Sequence, residues 1–234
     1  MTFQANISEL AEFIGSEIKR IEKKIPDGGS QSSDSNIISG NGRPDKPDTT
    51  RILVNNVYEN KIKGNELDGT FYSSLDGAGV GAYLWQKQKG KWNVISADTG
   101  VRRITDGAVN IKSGYVSLRR VNNTVECAFT GGAWGAIYFY GSNSKEFRRK
   151  AHPKRMDVLG NSKIPVGFRS TNSIMLPFYS DDGDHLGMVY VGGTGNYNYI
   201  ELRFKDKPPT ADMDIVRMPV ISWITDEPFP ERLP

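Results

Sequence analysis

The sequence predicts a mainly β protein: an antiparallel, jelly-roll-like β-sandwich that follows a short α-helical stem. The sandwich is predicted from composition and from spacing. The chain has 25 glycines among 234 residues, and beyond residue 50 short strand-forming runs alternate with Gly, Asn and Asp turns about every eight to twelve residues. The stem is predicted because a helical periodicity of apolar residues is clear only in residues 3–25.

Residues 1–26 form the predicted stem. Apolar side chains recur there every three or four residues, which places them on one face of a helix that Pro26 ends. Isoleucine at most of these positions favours three or more helices over two. We therefore expect a coiled coil that joins three copies of the chain through Ile7, Leu10, Ile14, Ile18, Ile21 and Ile25. The alternative is that the helix folds back on its own domain.

Residues 27–50 are predicted to be an extended linker, or an extension that lies along the next domain. Gly, Ser, Asp, Asn and Pro dominate this stretch, and Ile37 and Ile38 are its only large apolar residues. Such a segment buries too little apolar surface to offset the entropy of ordering it.

Residues 51–234 form the predicted head domain. Asn122 and Asn123 lie between two β-like runs and predict a two-residue turn, since asparagine tolerates a positive φ. The predicted strands are 51–58, 69–74, 81–86, 91–96, 101–104, 108–111, 115–121, 124–130, 136–140, 173–180, 187–192, 198–204 and 216–224.

Composition argues against several classes of protein. A formal net charge of +3 gives no general reason to expect binding to nucleic acid or to an anionic membrane. One cysteine excludes an internal disulfide, and two histidines leave little for a zinc site. We expect no signal peptide, no membrane-spanning run, no metal and no cofactor.

Candidate catalytic groups are sparse. Cys127 lies in a predicted strand without a neighbouring histidine, so we expect a buried structural thiol, and we expect His152 and His185 to be solvated. The glycine-rich residues 77–81 lack the lysine of a phosphate loop, and the acidic residues 181–184 lack the length of a calcium loop. Since no pair of carboxylates is singled out, the expectation is a protein that is not an enzyme. A polysaccharide-degrading enzyme or a carbohydrate-binding module is kept as an alternative.

Two stretches are candidate ligand-binding sites. Arg148 and Arg149 begin a basic cluster that could bind phosphate groups, although a solvated loop or salt bridges between subunits is the favoured explanation. Tyr197, Asn198 and Tyr199 suit sugar recognition through ring faces and an amide, although alternating tyrosines also begin many strands. Most of the four tryptophans, at 85, 92, 134 and 223, are expected in the core.

Several motifs resemble one family. The runs NGRPDKP at 41–47, GTFYSSLDGAGVGAYLWQK at 69–87, WNVISADTG at 92–100 and TDEPFPERLP at 225–234 are similar to the C-terminal part of minor tail or tail-fibre proteins. These proteins belong to phages of Gram-positive hosts, notably actinobacteria. The resemblance implies a homotrimeric virion component, attached to other virion proteins through its stem, that contacts glycan on the host surface. A capsid-attached fibre or spike fits the same build.

Overall fold

The structure is a computed structural model that describes residues 37–47, 50–54, 57–60, 62–148, 150–193 and 197–234, with backbone alone for 51–54 and 57–60. The chain divides into two units, residues 1–35 and 36–234, and every described residue belongs to the second. The predicted stem, with Ile7, Leu10, Ile14, Ile18, Ile21 and Ile25, lies outside the described residues. The trimer predicted from it therefore stays a prediction.

The described residues are mainly β, which confirms the coarse fold prediction. They contain no α-helix, and every strand pairs antiparallel with its neighbours except for the parallel pair β1 and β4. The strands are β1 (Ile37–Gly40), β2 (Arg51–Val54), β3 (Val57–Asn60), β4 (Phe71–Ser74), β5 (Ala82–Gln88), β6 (Lys91–Ala97), β7 (Arg102–Ile104), β8 (Ile111–Ser113), β9 (Tyr115–Val121), β10 (Thr124–Thr130), β11 (Ile137–Phe139), β12 (Arg155–Leu159), β13 (Ile174–Tyr179), β14 (His185–Val191), β15 (Ile200–Phe204), β16 (Met213–Val216) and β17 (Ile221–Ile224).

These strands form five sheets. The first has the order β1-β4-β5-β6, the second β17-β10-β9-β7, and the third β12-β15-β14-β13. A three-stranded sheet, β16-β11-β8, and the hairpin β2-β3 complete the set. The Asn122–Asn123 turn is confirmed: Val121 pairs with Thr124, and Asn122 has a φ of +53°.

The main hydrophobic core is shared by the second, third and three-stranded sheets. Buried side chains alternate along the strands, as in β14, where Val189 and Val191 are buried and Met188 and Tyr190 are half-buried. Because of this period of two, the side chains on one face of each sheet point into the core, and those on the other face are partly exposed to solvent. Cys127 is fully buried in this core, as predicted.

A second, smaller core lies against the first sheet. Its members include Tyr72, Trp85 and Ala97, together with Phe229 from the segment that follows β17. The C-terminal segment is thus part of the packing of the first sheet rather than an appendage.

The structure describes part of the segment 27–50, which is predicted to be an extended linker or an extension along the next domain. Residues 37–40 form β1, which pairs with β4 from Ile37↔Phe71 to Gly40↔Ser74. The Tyr72 hydroxyl then donates a hydrogen bond of 2.7 Å to the Asn41 carbonyl oxygen. Backbone and polar hydrogen bonds, which apolar content does not reveal, order this stretch. Residues 27–36 lie outside the described residues.

Candidate functional site

A cavity of about 430 Å³ lies between four separate segments of the β unit, and we call it the Trp92 cavity. Its volume is in the range of about 300–1,000 Å³ that is typical of ligand pockets. Each segment contributes to the lining. Arg43 and Asp45 come from the segment after β1, and Trp92 and Asn93 come from β6. Asn122 and Asn123 come from the β9–β10 turn, and Glu227 to Phe229 come from the C-terminal segment.

Arg43 forms one wall of this cavity. Its guanidinium stacks over the Trp85 ring at 5.1 Å from the centroid. Nε and Nη2 donate to the two carboxylate oxygens of Asp45, at 2.9 and 2.7 Å, and Nη1 donates to the Pro230 carbonyl at 3.2 Å. A planar, bidentate pair of this kind fixes both side chains and neutralises both charges.

Arg120 forms the floor, and only 5% of its surface is exposed. The guanidinium donates to the carbonyl oxygens of Asn122, Gly167, Glu227 and Pro228. Burial lowers the pKa of Arg120 to about 10, so that the group stays protonated at neutral pH. It is a cation bonded to carbonyl dipoles, and it ties three segments together.

Trp92 supplies the aromatic surface of the cavity. The Tyr72 ring meets it edge-on, with centroids 6.2 Å apart and planes at 68°, and the Lys87 ammonium lies 5.8 Å from the Trp92 centroid. These contacts hold the indole in place while the side chain remains half-buried.

Three amide side chains, from Asn93, Asn122 and Asn123, lie at the rim and are exposed. The Asn122 Oδ1 accepts a hydrogen bond of 2.9 Å from the Ala97 N–H, which orients that amide. Among the described residues, the side-chain nitrogen of Asn122 and the amide of Asn123 have no partner, so both can bond to a ligand.

The two carboxylates of the cavity are already engaged. Asp45 pairs with Arg43, and Glu227 Oε2 accepts from the Gly167 and Arg169 N–H groups at 2.5 and 3.4 Å. Neither is poised as a general acid beside a free base. An aromatic ring, amides and internally neutralised charges together suit an uncharged, hydroxyl-rich ring.

The two stretches predicted to bind ligand meet on the outer face of the third sheet. The Lys150 ammonium lies 4.6 Å from the Tyr199 centroid, and the Tyr199 and Tyr190 rings are 5.5 Å apart. Glu201, with 0% of its surface exposed, accepts from Lys150 and from Arg203 Nε at 2.7 Å. We call these residues the Glu201 network.

The individual predicted residues differ in how they face solvent. Tyr197 is 66% exposed, whereas Asn198 and Tyr199 are buried and offer little surface to a ligand. The backbone of Arg148 is held by Asn110, which accepts from its N–H at 2.6 Å and donates to its carbonyl at 3.2 Å. Arg149 lies outside the described residues.

The expectation that most tryptophans lie in the core holds for Trp85 and Trp223, which are buried, and Trp92 is half-buried. Trp134 is the exception, since it is exposed to solvent. No helix in the described ranges is long and apolar enough to cross a membrane. In the same part of the chain, no group of three His, Cys, Asp or Glu side chains is placed to hold a metal ion.

Comparisons with known proteins add no relative. No family model matches the chain, and neither the curated proteins nor the solved structures give a significant match.

Proposed function

We propose that this chain is the host-binding part of a phage fibre, a trimeric tail fibre or minor tail protein, and that it binds neutral cell-surface carbohydrate in the Trp92 cavity. The observation that supports carbohydrate is the combination of the Trp92 ring with the side-chain nitrogen of Asn122 and the amide of Asn123 in one concave site. The apolar C–H face of a sugar ring matches the indole, and its hydroxyls match the amides. The virion role rests on the resemblance of the sequence.

The proposed architecture is a jelly-roll-like β-sandwich on a trimeric stem. The second and third sheets would be its two layers, since both send side chains into the main core. Three cavities on one stem would gain avidity, because the second and third binding events occur at high effective concentration. The protein would then be carried on the virion.

The proposed activity is binding without cleavage. Hydrolysis of a glycosidic bond needs one carboxylic acid and one carboxylate free to act on the substrate. Asp45 and Glu227 are both held by protein donors. Incubation with cell-wall polysaccharide should therefore release no reducing ends, and their appearance would restore the enzyme alternative.

The binding proposal is tested with Asn123→Ala, which removes an exposed side-chain amide. The fold uses only the backbone carbonyl of this residue, which accepts a hydrogen bond from the Thr225 N–H and is kept in the variant. Asn161→Ala, at an exposed loop position outside the cavity, is the matched control. Isothermal titration with cell-wall polysaccharide should show binding weakened about tenfold by Asn123→Ala only. Equal affinities in both variants would contradict the cavity as the site.

The trimer is tested separately by light scattering of the full chain. A mass three times that of the 26.0 kDa chain is expected. A mass of one chain would remove the trimer and the avidity argument, while the titration would still decide whether the cavity binds sugar.

A further inference from the structure

Trp134 has a side chain that the fold does not use. It lies in the turn Ala133–Gly135, between β10 and β11, and 82% of its surface is exposed. Its backbone has φ +58° and ψ +24°, the left-handed region that bulky residues rarely adopt. Gly or Asn would suit this backbone better, so neither packing nor local conformation accounts for a tryptophan here.

The loop around Trp134 is nevertheless firmly held. The Gly132 N–H donates to the Ala136 carbonyl at 2.9 Å, and the Ala136 N–H donates back to the Ala133 carbonyl at 3.2 Å. At Gly131 a β-carbon would lie 2.2 Å from a carbon of the Tyr115 ring, so the loop backbone packs directly on that ring. The indole is therefore presented to solvent from a fixed base.

A charged pair lies beside the same residue. Arg217 Nη1 donates to the Trp134 carbonyl at 3.1 Å, and Arg217 Nε donates to Asp181 Oδ1 at 2.7 Å. Both side chains of the pair remain partly exposed. They can therefore offer hydrogen bonds at the edge of whatever covers the indole.

We propose that Trp134, with the Arg217–Asp181 pair, is a second carbohydrate-binding site on each chain: an open platform for a pyranose ring inside a neutral polysaccharide. This inference rests on the proposed function. The indole binds the C–H face of the ring, and the ion pair binds hydroxyls at its edge. An open platform lets the polymer continue in both directions.

The surroundings favour sugar over a protein partner. A tryptophan at the centre of a protein interface is normally ringed by side chains that exclude water. Trp134 is instead flanked by Gly131, Gly132 and Gly135, which have no side chains, and by the Arg217–Asp181 pair.

The test uses fluorine NMR of the full chain labelled with fluorotryptophan. The chain has four tryptophans, and Trp223 is the internal reference because its Nε1 donates to the Phe168 carbonyl inside the main core, away from both sites. The probes are neutral polysaccharide from actinobacterial cell walls, its fragments of about six sugars, and its monosaccharides. We expect the fragments to shift the Trp134 signal, and we expect the monosaccharides to shift the Trp92 signal without shifting that of Trp134.

Trp134→Asn separates binding from stability. Asparagine accepts the left-handed backbone and keeps the carbonyl that Arg217 binds, so thermal stability should be equal or higher. Binding of the fragments should weaken by about tenfold, as expected for loss of one stacked ring. A matched Trp134→Phe variant keeps a ring and should retain most of the affinity.

Each outcome has a distinct meaning. A shift of Trp92 without Trp134, or unchanged affinity in Trp134→Asn, would overturn the platform and leave the proposed function intact. A shift of Trp134 without Trp92 would support the platform and remove the cavity. No shift of either would overturn both, and a Trp134 signal that responds only to protein concentration would assign the residue to a contact between chains and overturn the platform.

Discussion

The guanidinium of Arg120 lies 5.1 Å from the centre of the Phe229 ring, and it also donates to the carbonyls of Glu227 and Pro228. One side chain on β9 thus holds the C-terminal segment through both its polar and its aromatic groups. Since Phe229 belongs to the second core, Arg120 links the second sheet to the packing of the first.

Replacing Arg120 by Met should destabilise the protein. The change keeps the apolar stem but leaves buried carbonyl oxygens without donors, which costs about 1–3 kcal/mol for each unpaired group. We expect the free energy of unfolding in urea to fall by about 3 kcal/mol. The neighbouring Arg119→Met is the control, because Arg119 is exposed and pairs with exposed Asp98. Similar losses in the two variants would contradict a special role for Arg120.

Glu201 should make the stability of the protein depend on pH. Burial raises the pKa of Glu201, but hydrogen bonds from Lys150 and Arg203 outweigh burial and lower it below its ordinary value of 4.5. The carboxylate therefore stabilises the fold above pH 4.5, and this stabilisation is lost as the pH falls below that value, because the folded state resists protonation that the unfolded state accepts.

The test compares Glu201→Gln with exposed Glu146→Gln across pH 3 to 7. Glu201→Gln should lower the free energy of unfolding by about 3 kcal/mol at pH 7, since it removes the buried carboxylate that pairs with Lys150 and Arg203. The difference in the free energy of unfolding between the variant and the wild type should become smaller as the pH falls through and below about 4.5. A gap that is constant with pH would show that the loss comes from packing rather than from charge.

Two glycines of the turn-rich segment after β4 should respond differently to alanine. Gly79 and Gly81 both have positive φ, +70° and +84°. A β-carbon at Gly79 meets nothing within 4 Å, while at Gly81 it would lie 1.9 Å from the Asp98 carbonyl oxygen. We expect Gly79→Ala to lower the free energy of unfolding by about 1 kcal/mol, from backbone strain alone. Gly81→Ala should lower it by about 3 kcal/mol, because the clash adds to the strain, and thermal unfolding measures both. Equal losses would refute the close approach.

Cys127 should report global unfolding. It is the only cysteine of the chain, it is fully buried, and burial raises the pKa of its thiol. Because the thiolate is the reactive form, a thiol reagent at pH 8 should label the native protein very slowly and the guanidinium-unfolded protein at once. Rapid labelling under native conditions would show that the core opens locally.

Sequence periodicity predicted strands better than it predicted their partners. The run 115–121, the Asn122–Asn123 turn and the run 124–130 reappear as β9, a tight turn and β10. Two single predicted strands are each divided: 51–58 spans the hairpin of β2 and β3, and 216–224 covers the end of β16 and all of β17. Strand β12 lies in a stretch that looks like a polar loop, because its outward residues are charged.

The site was harder to predict than the fold. The Trp92 cavity draws on residues from Arg43 to Phe229, and no local spacing connects segments so far apart. The Asn122–Asn123 pair was visible, but only as a turn. Most of the four tryptophans were expected in the core, but nothing in the sequence marked Trp134 as the exposed one, because an apolar residue type alone does not establish burial.

The parallel pairing of β1 with β4 also has a mechanical meaning. Tension on the chain ahead of Ile37, directed along β1, would shear the hydrogen bonds from Ile37↔Phe71 to Gly40↔Ser74 together rather than opening them one after another. Two hydrogen bonds directly after β1 would resist the same tension: the Tyr72 hydroxyl donates to the Asn41 carbonyl, and the Gly42 N–H donates to the Asp76 carboxylate. Such tension would therefore load all the hydrogen bonds of the β1–β4 pair at once.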